Sequence, residues 1–115
     1  MDVNFFELKY LITDSFYEEA LNNGYSYGQA AGICYEAFFE YISSNNIESI
    51  ISISTIIILK LRHKEELSKY DIEDMKKILD LSKKIDFKKR LNDSEIEYLE
   101  EDIDIVECKY KELVK

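Results

Sequence analysis

His63 is the only histidine in this chain. A metal centre or an acid–base relay built on it would need a partner at useful spacing. Cys34 and Cys108 do not supply one. Arg62 and Lys64 flank His63, so a cluster of cations at a helix C-terminus explains it without chemistry. Carboxylates are plentiful: Glu18-Glu19, Glu36 with Glu40, Glu65-Glu66 and Glu100-Glu101-Asp102. Glu36 and Glu40, four apart, would share a helix face and could hold a divalent cation if other helices added ligands. Bundles of that kind also use Glu-x-x-His pairs, but the residue three before His63 is Lys60. A solvated face is the better reading. Gly28-x-x-x-Gly32 lacks the following Lys and Ser or Thr of a phosphate loop. No catalytic residue, metal ligand or cofactor is therefore expected, and neither is an enzyme.

Charge says more. Asp and Glu number 24 against 15 Lys and Arg, for a net charge of −9. Such a surface repels nucleic-acid backbones and suits a cationic protein partner. Between Leu91 and Cys108 stand eight acids and no basic residue. The one basic cluster, Lys83, Lys84, Lys88, Lys89 and Arg90, directly precedes that run and is expected to compensate it. Lys83 and Lys84 would also suit the end of a helix.

The elements that carry these groups read as helices. The 115 residues suit one domain, 1–115, and the absence of Pro favours uninterrupted helices. The longest apolar run, Ile56 to Leu59, is far short of a membrane span. Met1-Asp2-Val3-Asn4 lacks the basic lead-in of a signal peptide, and the two cysteines lack metal-type spacing. A cytoplasmic protein with free thiols is expected.

A first helix spans about Val3 to Leu21, with Phe5, Leu8, Ile12, Phe16 and Ala20 on its inner face and Asp2 or Asn4 as cap. Asn22-Asn23-Gly24 stops it. The second begins at the N-cap Ser26, with Gln29 at capping-box spacing, and runs to about Ser43. It is apolar on most sides, which points to a central position. Its Gly28, Ala31 and Gly32 would let another helix approach closely. Asn45 with Glu48 would open the third helix. The stretch from Ile47 to Leu61 is rich in β-branched residues, which favours strand. However, positions 47, 50, 51, 54, 57, 58 and 61 make a helical stripe, and period-two alternation fails at Thr55 to Ile58, so helix is the better fit. A fourth helix covers about Ser68 to Lys84. The fifth begins near Asp93 or Ser94 and runs to about Leu113. The expected fold is all-α, a single-domain bundle of about five helices.

The fifth helix carries Ile96, Leu99, Ile103, Val106, Tyr110 and Leu113 in an unbroken 3-4-3-4-3 series. This is more fitting for a seam inside the bundle than for a dimer zipper, though monomer and homodimer both remain open. At 100° per residue, the face opposite the seam holds Glu97, Glu101 and Asp104 together with Tyr98, Ile105 and Cys108. Apolar side chains inside a carboxylate rim suit protein binding. Glu97, Tyr98, Glu101, Asp104 and Ile105 are thus the expected partner-binding residues. Two alternatives stand beside this: a helix packed on both sides, and a binding face around Glu18, Glu36 and Glu40.

Tyr17-Glu18 at the end of the first helix, the Gly24-x-Ser26 turn, the aromatic helix from Ala30 through Phe38 and Tyr41, and then Ile47-Glu48 form a combination. It resembles the all-helical immunity proteins of bacterial polymorphic-toxin and contact-dependent inhibition systems, best over the first 60 or so residues. The resemblance implies a protein that binds one cognate toxin and blocks it with no chemistry of its own. It implies a folding role for Gly24 and Ser26. Many such toxins are nucleases with basic clefts, which a carboxylate-rich surface would suit. The alternative function is a helical adaptor or regulatory subunit with a different protein partner. A carboxylate-metal enzyme is the third, and least suited to the single histidine.

Overall fold

The computed structural model of the chain describes residues 5–43 and 46–114. Among these residues the regular structure is helical, with no strand. The elements are α1 (Phe5–Tyr10), a π-helical turn (Leu11–Tyr17), α2 (Glu18–Asn22), α3 (Tyr27–Ala37), α4 (Phe39–Ser43), α5 (Ile47–Arg62), α6 (Lys69–Ser82), a 3-10 turn (Phe87–Lys89) and α7 (Asp93–Leu113). α1, the π turn and α2 form one rod, and α3 and α4 form a second, kinked one. The expected start at Val3, its caps Asp2 and Asn4, and the cap Asn45 lie outside the described residues.

The centre is α5, not the second predicted helix. α5 packs against α1, α3, α4, α6 and α7. Ile50, Ile51, Ile53, Ile56 and Ile57 are all at most 1% exposed. Ile in a helix costs at most about 0.7 kcal/mol relative to Ala. Its full burial returns roughly 1.5–3 kcal/mol. Burial therefore decides the conformation against β propensity. The N-cap is Asn46, whose side chain accepts the Ser49 N–H at 3.0 Å. Ser49 is itself buried, and its hydroxyl donates to the Tyr41 and Ile42 carbonyls, satisfying the end of α4.

Ion pairs, two of them on the buried carboxylates Glu48 and Asp71, tie the outer elements to this centre. Lys9 of α1 reaches Asp102 of α7 and Thr55 of α5. Lys60 meets both carboxylate oxygens of Asp71 at 2.9 Å, and Asp71 also completes the capping box of α6 with Ser68. Arg90 meets the buried carboxylate of Glu48 with both terminal nitrogens. The Tyr35 hydroxyl donates to Asp74 at 2.6 Å and links α3 to α6.

The first rod departs from the expected face at one place. Phe5, Leu8, Ile12 and Ala20 are buried, but Phe16 is 38% exposed and Tyr17 is fully buried. A π turn takes one more residue than an α turn, so the residue five after Ile12 faces inward instead of the residue four after. The Thr13 hydroxyl, bonded to the Lys9 carbonyl at 2.8 Å, sits where the ladder widens. In the second rod, Phe38 leaves helical geometry (φ −109°, ψ 16°) and divides α3 from α4. No Gly or Pro marks that break.

Candidate protein-binding face

α7 is held from inside. Asn92 and Glu95 form a reciprocal capping box at its start. Leu99 and Val106 are fully buried, with Ile103 and Tyr110 partly buried against the core. The seam therefore lies within the bundle, against α5 and α6. Leu113 leaves it and is 41% exposed.

The opposite face is open. Glu97, Tyr98, Glu101, Asp104 and Ile105 are all exposed, as is Cys108. α7 is not packed on both sides at these positions. Asp102, one position round the helix, turns inward to Lys9. Glu97, Glu101 and Asp104 form no hydrogen bond or ion pair among the described residues. The Tyr98 ring meets Phe6 of α1 edge to face, with centroids 5.5 Å apart. Phe6 is 46% exposed, so the apolar part of this face spans two helices. Phe6 belongs to no motif or apolar series read from the sequence. Its position one residue off the Phe5-Leu8-Ile12 series is the signal that it points outward.

The basic cluster does not neutralise this face by contact. Lys83, Lys84, Lys88 and Lys89 are exposed and make no ion pair among the described residues. Arg90 turns to Glu48 of α5, not to α7. Glu97, Glu101 and Asp104 of α7 thus keep their carboxylates available among the described residues.

The other candidate groups resolve differently. Glu36 and Glu40 are exposed and lie on separate helices either side of Phe38. Among the described residues no three His, Cys, Asp or Glu side chains gather as a metal site. His63 is the C-cap of α5, and its ring stacks with Tyr27 at 4.2 Å and Tyr17 at 5.5 Å between centroids. Burial, with the nearby Glu65 charge second, pushes the Tyr17 phenol up to about 12. Cys34 is buried and its thiol points at the Ile12 carbonyl, 3.7 Å away. Burial pushes that thiol up to about 11, which makes it a poor nucleophile. Both cysteines are free. Gly28 and Gly32 are exposed, and no helix packs closely on them. A Cβ on Gly28 would meet only the Glu65 carboxylate, at 3.4 Å, and one on Gly32 would meet nothing within 4 Å. No described helix is long and apolar enough to cross a membrane. Comparisons with protein-family models, curated proteins and solved structures each return no match.

Proposed function

We propose that this chain is an immunity protein, which binds a cognate bacterial toxin in the cytoplasm and neutralises it by occlusion. The carrying observation is the outer face of α7. Glu97, Glu101 and Asp104 line one side of the exposed apolar side chains of Tyr98 and Ile105, on a helix whose other side is anchored in the core. A rigid, negatively charged face of this kind fits a basic protein cleft. It meets the partner's cations and excludes what they would otherwise hold. The chain's own part is recognition, with no bond made or broken and no nucleic acid bound directly.

Co-expression tests this. The open reading frame beside this gene is expressed alone and with this chain. Growth only in the presence of the chain is expected. Equal growth in both cultures, or death in both, contradicts the reading. The adaptor reading is favoured by one observation, the four lysines at 83, 84, 88 and 89 that make no ion pair among the described residues and suit an acidic partner.

A further inference from the structure

We propose that a trough between the end of α5 and the last turns of α7 seats an amphipathic, cationic helix of the protein partner. This rests on the docking reading above and specifies its mode. Two open depressions of about 450 and 440 Å³ adjoin there, sharing Leu61 and Lys109 as lining residues. Leu61, Ile105 and Cys108 line the first, and Leu113 lines the second. Ile105 and Leu113 are 47% and 41% exposed, an apolar cost that a partner would relieve.

Charge selects the occupant. Four carboxylates line the trough (Asp104 and Glu112 in one part, Glu65 and Glu66 in the other) against two lysines, Lys64 and Lys109. Lys109 already leans toward Glu112, at 4.0 Å. Asp104, Glu65 and Glu66 make no ion pair among the described residues. An apolar floor with a net negative rim fits a helix with aliphatic side chains on one face and Lys or Arg on its flanks. Geometry selects the helix. The described residues form no strand, so there is no sheet edge for an extended segment to join. From Asp104 to Leu113 the trough follows about 14 Å of α7. Anchors at i and i+7 on a partner helix lie about 10 Å apart and fit within it.

The test uses the full chain and three synthetic peptides of equal length. One is a Leu/Lys peptide with Leu at i, i+4 and i+7. The second replaces its Lys with Glu. The third scrambles the first so that the Leu stripe is lost. Binding is followed by Ile and Leu methyl resonances of the protein. The first peptide should shift Leu61, Ile105 and Leu113 saturably, and the other two should bind at least tenfold more weakly. Ile105→Ser with Leu113→Ser, which removes the apolar floor and leaves the charge unchanged, should weaken the first peptide at least tenfold. Leu113→Ser alone is the milder variant, should the pair disturb folding. Equal binding of all three peptides, shifts confined to other faces, or no saturable shift overturns the trough. The function fails separately: toxin neutralised as well by the Ile105/Leu113 variants as by the parent sinks the trough and the Ile105 anchor, whereas failed co-expression sinks the function.

Discussion

Deleting Asp14 should be nearly silent, although it removes a residue from the middle of a helical rod. The buried residues of that rod, Phe5, Leu8, Ile12, Tyr17 and Ala20, are spaced 3, 4, 5 and 3 apart. The five-residue step is the π turn. Without Asp14 the spacing becomes 3, 4, 4, 3, which an ordinary α-helix places on one face. Asp14 is exposed and makes no hydrogen bond or ion pair among the described residues. The rod shortens by about 1.5 Å, and the exposed turn at Asn23 to Tyr25 can absorb this. The stability change should stay within about 1 kcal/mol. Deleting Glu101 is the control. Every later residue of α7 would rotate by 100°, carrying Val106 out of the core. Val106 alone accounts for roughly 1.5–3 kcal/mol. Ile103 and Tyr110 move with it, so the loss is several kcal/mol of a total of about 5–15. Urea unfolding followed by circular dichroism measures both. Equal losses for the two deletions would refute the assignment of the extra residue to the π turn.

Three further outcomes follow from the packing. Lys64 closes α5 in the left-handed region (φ 57°), with Glu65 N–H on the Lys60 carbonyl and Lys64 N–H on that of Leu61. Lys64→Gly should raise stability by about 0.5–1 kcal/mol in urea unfolding, and a loss would contradict that geometry. Arg90→Ala leaves the Glu48 carboxylate, 4% exposed, without this guanidinium. It should cost about 2–3 kcal/mol, discounted from a fully buried pair because Arg90 is partly solvated. Adding Glu48→Gln should recover at least half, and no recovery would show that the charge is not the cause. Alkali should unfold the protein. Cys34 and Tyr17 are raised from ordinary values of 9.0 and 10.0 to about 11 and about 12. Their unfolded forms ionise first, so stability is fully present below about pH 9 and falls as pH rises toward 12. Tyrosinate absorbance should show Tyr17 and Tyr35 ionising only with loss of helix; independent early ionisation of all nine tyrosines would contradict their burial.

Much of this architecture is legible where local chemistry and burial agree. Ser26 with Gln29 forms the expected capping box, and Leu99 and Val106 are the buried seam of the last helix. The carboxylates and apolar residues assigned to its outer face are exposed there. What escaped is set by tertiary packing. A π turn has no residue code of its own, so Phe16 stood where Tyr17 belongs. The break at Phe38 occurs without a breaker residue, beside an edge-on contact of its ring with Phe16 at 5.1 Å. The aromatic second helix looked central, but the isoleucines of α5 bury more completely. Of the small-residue patch, Gly28 and Gly32 face solvent and only Ala31 is buried. Lys83 to Lys89 adjoin the acidic helix in sequence without pairing to it in space.

The most direct measurement concerns the charged face itself. Glu97, Glu101 and Asp104 are all changed to Lys, and association with the partner proposed above is timed at low and physiological salt. Steering by complementary charge contributes about 10- to 10³-fold to association rates and weakens with salt. At least a tenfold slower association is expected at low salt, with a smaller difference at higher salt and an unchanged unfolding transition. Identical rates for variant and parent at low salt would contradict this expectation.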